Sequence, residues 1–150
     1  MNSAQNNRIV VAVPVASYAS ATGTNANVID TYQFRYLTVT VQLGAMGGST
    51  TFTAFKLEGS ETADFSAGVA DITGCVASGS TGTNRLPQAA DAQLIARFYV
   101  PINGSTPRYI RFAGTPGAAT IFGATAQLSD GVEVPSTRAE RNNTLEFLRS

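Results

Sequence analysis

The chain has 150 residues, of which 43% are hydrophobic and 13% are charged, and its ten basic side chains balance its ten acidic ones. This length fits one domain with its own hydrophobic core, the zero net charge gives no general attraction for nucleic acid, and no apolar run approaches the roughly 20 residues of a membrane span. Histidine, the usual general base and metal ligand, is absent, and the one cysteine, Cys75, is predicted to be a small buried side chain. We therefore predict no enzyme, no cofactor, no nucleic-acid partner and no membrane partner.

The first predicted element is a strand at the apolar run Ile9 to Val13, continued by Val15 and Ala16. A short signal peptide is the alternative, because a basic residue precedes the run and small residues follow it. However, the run is at the short limit of the roughly 7–15 residues of such a segment, and Pro14 interrupts it. We therefore predict the first strand of the domain here.

Period-two alternation dominates the next part of the chain and predicts strands. From Phe34 to Leu43, one face of the strand is aliphatic and carries Leu37, Val39, Val41 and Leu43. From Thr50 to Glu58, the alternation places Thr51, Thr53, Phe55 and Leu57 opposite Phe52, Ala54 and Lys56. Because Gly44, Gly47 and Gly48 separate the two segments, they are predicted to form a hairpin with a glycine loop.

The second half of the chain contains further strand patterns. One segment shares the face Leu94, Ala96, Phe98 and Val100, a second spans Tyr109 to Phe112, and a third shares Phe122, Ala124, Ala126 and Leu128. Shorter candidates lie at 27–29, 68–72 and 74–77, and no long stretch has a helical period. About eight short strands punctuated by Gly, Pro and Asn predict an all-β fold, an antiparallel two-sheet sandwich over residues 1–129.

The last 21 residues differ in composition from the rest of the chain. Seven of its twenty charged side chains lie between Asp130 and Ser150, so the preceding body is almost uncharged. Pro135 argues against one continuous helix, although Thr144 to Arg149 fits a short terminal turn. We predict that residues 130–150 are a charged C-terminal arm outside the sandwich. Its predicted binding residues are Arg138, Arg141, Leu145, Phe147 and Leu148.

The best binding signal is a set of arginines next to tyrosines. If Phe98 and Phe112 face the core, their neighbours in each strand point the opposite way. The predicted interface residues are Arg97, Tyr99, Tyr109 and Arg111, together with Arg35 and Tyr36. Tyr and Arg are enriched at protein interfaces, so a subunit interface is the first hypothesis. Stacking of single-stranded nucleic acid, binding of a sugar and an ordinary solvated sheet face are the alternatives.

One group of acidic residues could in principle carry chemistry, and it comprises Glu58, Glu61, Asp64 and Asp71. A glycosidase holds two carboxylates at a fixed distance on rigid elements, whereas Glu61 and Asp64 fall in a flexible loop sequence. The spacing also lacks the alternating oxygen ligands of an EF-hand. We predict solvated turn residues, with a bound cation as the alternative and catalysis as a more remote one.

Four segments carry a resemblance to a known family. In chain order they are Tyr36 to Leu43, Lys56 to Ser60 leading into Asp64 and Phe65, Arg108 to Phe112, and Phe122 to Ala124. This pattern, over about residues 28–128, resembles the trimeric jelly-roll cement or decoration proteins on capsids of tailed bacteriophages, including cyanophage-type podoviruses.

The resemblance implies a jelly roll that forms a homotrimer and binds the major capsid protein on the capsid surface of a virion assembled in the host cytoplasm. Several weak contacts would then have to fail together before the protein dissociates. Another virion component is the alternative, namely a tail, neck or receptor-binding subunit, including one that binds a glycan.

Overall fold

The part of the chain that the structure describes contains nine β-strands and one short 3₁₀ turn, Ala89–Asp91, joined by loops. The structure is a computed structural model, and it describes residues 7–19, 26–46 and 51–129 and the backbone of 145–148. The strands are β1 (Arg8–Tyr18), β2 (Ile29–Asp30), β3 (Tyr36–Met46), β4 (Phe52–Ser60), β5 (Ala70–Val76), β6 (Ile95–Pro101), β7 (Tyr109–Pro116), β8 (Thr120–Ser129) and β9 (Leu145–Leu148).

The strands form two sheets that pack face to face. Sheet A has the order β1-β8-β3-β6-β9, and sheet B has the order β2-β7-β4-β5. Every neighbouring pair is antiparallel except β6 and β9, which are parallel. Strands β1 to β8 therefore follow the order of a jelly roll, in which two four-stranded sheets are joined by crossing connections. The predicted all-β, antiparallel two-sheet sandwich with a jelly-roll arrangement is confirmed.

The predicted inward faces of β3 and β8 are also confirmed. Their side chains are at most 4% exposed, and they are Leu37, Val39, Val41, Leu43, Phe122, Ala124, Ala126 and Leu128. The first predicted strand is present as β1, and the candidates at 68–72 and 74–77 are one continuous strand, β5. Cys75 is a small side chain with no exposed surface, as predicted.

Five phenylalanines form the centre of the core, and Phe55 contacts three of the other four. Its ring centroid lies 5.3 Å from that of Phe52, 5.5 Å from that of Phe98 and 5.1 Å from that of Phe112. Phe122 completes the group from the β8 side, 5.6 Å from Phe52. Edge-to-face pairs at these separations add stabilisation beyond the area they bury.

The predicted hairpin between β3 and β4 is wrong, because the two strands belong to different sheets. Strand β3 pairs with β8 on one side and with β6 on the other, so neither of its edges is free for β4. Strand β4 pairs with β7 and β5 instead. Strands β3 and β4 are therefore consecutive in the chain but belong to opposite sheets, and they do not form a hairpin.

The predicted faces of β4 are wrong at its start. Phe52 is 1% exposed and lies in the core with Phe55 and Leu57, whereas Thr53 is exposed. The reason is a register shift against β7, since Phe52 pairs with Pro116 and Ala54 with the adjacent Thr115. Thr53 is therefore an extra residue in the strand, and such a bulge reverses the inside and outside positions before it.

The predicted C-terminal arm lies mostly outside the described residues, and this includes Arg138 and Arg141. The last described segment, Leu145–Leu148, is strand β9, which pairs in parallel with Ala96 to Tyr99 of β6. For these four residues, the prediction of a turn outside the sandwich is wrong. Their backbone instead supplies hydrogen-bonding groups to the edge of β6, which would otherwise be unpaired.

Candidate interaction surface

The structure divides the six predicted interface residues between two opposite faces of the sandwich. On sheet A, Arg97 and Tyr99 lie on β6, Tyr36 begins β3, and Arg35 precedes it. On sheet B, Tyr109 and Arg111 lie on β7. Because the outer faces of packed sheets point in opposite directions, the six residues do not form a single patch.

The sheet A members lie on, or just before, the neighbouring strands β6 and β3. Tyr99 pairs with Thr38 of β3, and Arg97 pairs with Thr40. Tyr99 is only 7% exposed, whereas Arg97 is half-buried and Arg35 is exposed. Arginine therefore reaches solvent here more than Tyr99 does.

On sheet B, Arg111 belongs to a charge network that spans three strands. Its Nε and Nη2 each lie 2.6 Å from Glu58 Oε1. Lys56 Nζ lies 3.8 Å from Glu58 Oε2 and 2.5 Å from Asp71 Oδ1. The ring of Phe65 covers the guanidinium, with its centroid 4.2 Å from Arg111 Cζ. The charge of Arg111 is therefore balanced and shielded within the chain.

Tyr109 forms one side of an exposed stack at the β2 edge of sheet B. The guanidinium of Arg108 lies 5.0 Å from the ring centroid of Tyr109 and 4.9 Å from that of Tyr32. Arg108 also donates to both carboxylate oxygens of Asp30, through Nε at 3.0 Å and Nη2 at 2.9 Å. The hydrogen bonds from Arg108 hold the pKa of the Asp30 carboxyl below its usual range, and Asp30 in turn raises the pKa of Arg108.

The Asp30 pair predicts a specific acid sensitivity. Because the pKa of Asp30 is lowered in the folded state, its stabilisation is present above the ordinary value near pH 4 and is lost as the pH falls through the lowered value. We expect Asp30→Asn to have a lower melting temperature than the wild type at pH 7, and the difference to close as the pH falls through the lowered pKa of Asp30. A matched Glu61→Gln variant, altered in an exposed turn, should follow the wild type throughout. A gap between Asp30→Asn and wild type that is constant with pH would contradict this assignment.

The acidic residues offer no open pair of carboxylates. The prediction of solvated turn residues is wrong for Glu58 and Asp71, which are paired neighbours within strands β4 and β5 and are both engaged by the ion pairs described above. Asp64 accepts a hydrogen bond from the backbone N of Ser66 at 3.1 Å, and Glu61 is exposed in the same turn, as predicted. Among the residues that the structure describes, no three His, Cys, Asp or Glu side chains are placed to hold a metal ion together.

The most exposed apolar surface lies on sheet A, at β1, and was not predicted. It consists of Ile9, Val11 and Val15 of β1 and Ile121 of β8, which are 70%, 54%, 76% and 47% exposed; we name these four residues the β1 strip. The sequence does carry a signal for it. Apolar residues occupy both odd and even positions from residue 9 to residue 13, so both faces of the strand are apolar, and the core can cover only one of them.

A shallow groove of about 240 Å³ adjoins the strip. Val15 and Ile121 form part of its wall, together with Gln42, Gln93 and the backbone at Gly123. Val15 packs directly on Gly123, where an added Cβ would collide with Val15 Cγ2 and lie 3.1 Å from its Cα. The absence of a side chain at Gly123 therefore lets β1 lie close to β8 and shapes this part of the face.

We expect Gly123→Ala to push β1 away from β8 and to lower the free energy of unfolding by about 1–3 kcal/mol, as overpacking does elsewhere. Chemical denaturation of the two proteins measures this. The control is Gly104→Ala, since a Cβ at Gly104 meets nothing within 4 Å. Equal stabilities for the two alanine variants would show that the close approach at Gly123 has no energetic role.

The surroundings of the β1 strip are polar but uncharged. The neighbouring outward positions of β3 and β8 are threonine and glutamine, namely Thr38, Thr40, Gln42, Thr125 and Gln127. Ile9 pairs with Gln127 and Val11 with Thr125. The network around Glu58 and the Asp30 pair, by contrast, both lie on sheet B. These two ion-pair groups therefore lie on one outer face of the sandwich, and the exposed aliphatic side chains of the β1 strip lie on the other.

No family model matches this chain, and no curated protein matches it either. Within the described part of the chain, no helix has the length and hydropathy needed to cross a membrane.

Proposed function

We propose that this chain is a structural virion protein, a cement or decoration subunit that binds the major capsid protein on the surface of a phage capsid as a homotrimer. The observation that carries the proposal is the outer face of sheet A, which is uncharged over β1, β8 and β3 and has the β1 strip exposed on it. Large apolar patches on soluble proteins commonly mark contacts with other chains. A protein that must cover such a face is better explained as a subunit of an assembly than as a solitary monomer.

Two further features support this proposal. The jelly roll is a recurrent fold of viral capsid proteins, although it also occurs in lectins and enzymes, so it supports the proposal only together with the surface. The segments between residues 28 and 128 also resemble capsid cement proteins, as described above. In a trimer, three weak capsid contacts would act together, because each bound subunit raises the effective concentration of the next.

The carboxylates favour binding over catalysis. A general acid or base must be free to exchange a proton with a substrate, whereas Glu58 lies 2.6 Å from Arg111 and Asp71 lies 2.5 Å from Lys56. These contacts tie together three strands of sheet B. Their arrangement is that of a structural network.

The test is co-sedimentation with empty shells assembled from the major capsid protein that is encoded in the same genome. We expect the chain to pellet with the shells at a saturable ratio and to raise their melting temperature. Shells from an unrelated phage serve as the control. Binding to neither kind of shell, or equal binding to both, would overturn the proposal.

A receptor-binding subunit that recognises a glycan is the second candidate, and the exposed stack around Arg108 favours it. Tyr32 is 61% exposed beside Tyr109, and a flat exposed ring of this kind can pack against a sugar. A glycan array separates the two functions, since this candidate predicts saturable binding that Tyr32→Ala abolishes. A cement protein is expected to bind no glycan on the array.

A further inference from the structure

The position of the β1 strip allows two modes of attachment for a partner chain. Strand β1 is at the edge of sheet A, next to β8. An edge strand can recruit a partner by backbone hydrogen bonding, which extends the sheet. Alternatively, a partner can pack on the outward side chains of the strip and leave the edge untouched.

The edge of β1 is closed to strand addition in its central part. The backbone N of Asn27 donates to the carbonyl oxygen of Ala12 at 2.7 Å, and its side-chain Nδ2 donates to that of Val11 at 2.7 Å. Pro14, two residues after Ala12, has no N–H to offer, and its carbonyl oxygen accepts a hydrogen bond from the Tyr18 hydroxyl at 2.7 Å. Backbone groups that an incoming strand would need are therefore occupied or missing from Val11 to Pro14.

The face, by contrast, is open and large enough for a specific contact. Strands lie about 4.8 Å apart and rise about 3.3 Å per residue. The four neighbouring strands β1, β8, β3 and β6, the first three of 10 or 11 residues and the last of 7, thus present about 600 Å² on each copy. Counted on both partners, this reaches about 1,200 Å², the lower end of the range for stable protein interfaces.

Charge indicates what kind of partner fits this face. The outward residues of β1 from Ile9 to Ser17, of β3 from Tyr36 to Gly44 and of β8 from Ile121 to Gln127 include no charged side chain. A charged partner surface would lose its hydration against Val and Ile without gaining a counterion. A neutral surface avoids that cost, and the chain as a whole has a net charge of zero.

We propose that a second copy of this chain docks on the outer face of sheet A, with the β1 strip at the centre of the contact, by side-chain packing and not by strand addition. Arg97 and Tyr36 then lie at its polar margin, the position that Arg and Tyr often occupy in interfaces. In a ring of three, the strip of one copy meets a different surface of the next. This inference rests on the self-association in the proposed function, and it assigns the face that self-association uses.

The test is Val15→Asp, measured by sedimentation velocity at micromolar concentration beside the wild type. Val15 is 76% exposed in the single chain, so the change should leave the fold intact, which circular dichroism checks. We expect the wild type to be an oligomer and the dissociation constant of Val15→Asp to rise at least about 100-fold, because an unpaired carboxylate would be buried in the contact. Val69→Asp, at an exposed valine 41% accessible before β5, should keep the wild-type mass.

A thiol-labelling measurement tests the proposal without the Val15→Asp variant. The native Cys75 has no exposed surface, so Ile9→Cys and Val69→Cys each add one accessible thiol. We expect maleimide to label Ile9→Cys slowly in the oligomer and rapidly after dilution to the monomer, and to label Val69→Cys equally fast in both. Equal rates at position 9 in the two states would overturn the proposal, as would an unchanged mass of Val15→Asp or a monomeric wild type.

These outcomes are separable from failure of the proposed function. Loss of the oligomer in Val15→Asp without any shell binding by the wild type would support this contact and reject the capsid role. If the oligomer binds shells and Val15→Asp leaves the oligomer intact, the result would support the capsid role and reject this contact.

Discussion

Replacing Phe55 with alanine is expected to lower the free energy of unfolding by about 3–5 kcal/mol, the usual cost of removing a buried phenylalanine. Phe55 is 1% exposed and its ring contacts those of Phe52, Phe98 and Phe112, so its removal leaves a cavity that strands from both sheets would have to close. Urea denaturation followed by circular dichroism measures the change.

Phe55→Leu is the graded control, because it keeps most of the apolar volume and should cost less than half as much. A loss below about 1 kcal/mol for Phe55→Ala would mean that the site collapses readily, and that the phenylalanine cluster is not the centre of the core.

Asp91→Ala is expected to cost about 3 kcal/mol, because it leaves the guanidinium of Arg85 without its counterion in a largely buried place. The Asp91 side chain is 4% exposed and that of Arg85 is 21% exposed. Two hydrogen bonds, at 2.5 and 2.6 Å, join them, and the backbone N of Gln88 donates a third to Asp91 at 2.9 Å. The pair joins Asp91, the last residue of the 3₁₀ turn, to the loop before that turn.

The double variant Arg85→Met with Asp91→Leu distinguishes two costs in stability, that of leaving Arg85 without its partner and that of losing the whole ion pair. Removing both charges together should recover much of the stability, since the cost lies mainly in leaving one charge unpaired. Asp64→Ala, in an exposed turn, is the surface control. A double variant that is less stable than Asp91→Ala alone would indicate that the pair itself, and not the unpaired charge, dominates.

The fold class could be predicted from the sequence because strand alternation is a local signal. In the segments from Leu37 to Leu43 and from Phe122 to Leu128, every second residue is apolar. These apolar side chains lie in the core, as expected. Which strands pair is not local. Strand β3 lies between β8 and β6, whose sequences are more than 50 residues away, so a glycine-rich connection to β4 was mistaken for a hairpin.

Single-residue irregularities were also invisible in the sequence. Thr53 looks like any other strand residue, but it is the extra residue that brings Phe52 into the core beside Phe55. Similarly, the segment at 145–148 was assigned to a turn because its partner, β6, is about 50 residues earlier. In both cases the deciding interaction is with a strand that the local pattern does not reveal.

The candidate site was predicted only in part. Alternation correctly pointed Arg97 and Arg111 away from the core, but it could not show that β6 and β7 lie in different sheets. The β1 strip was missed because a run such as Ile9 to Val13 satisfies a buried strand equally well. Only the topology, with β1 at an edge, shows that one side of the run stays exposed.

The closed edge of β1 also works against unintended association. A chain with an aliphatic outer face and an open edge strand is at risk of forming open-ended fibres, because each added strand would create the next template. Asn27, Pro14 and Tyr18 remove that template over the middle of β1. The same three residues that shape the edge of the sandwich therefore oppose fibre-like aggregation of this chain.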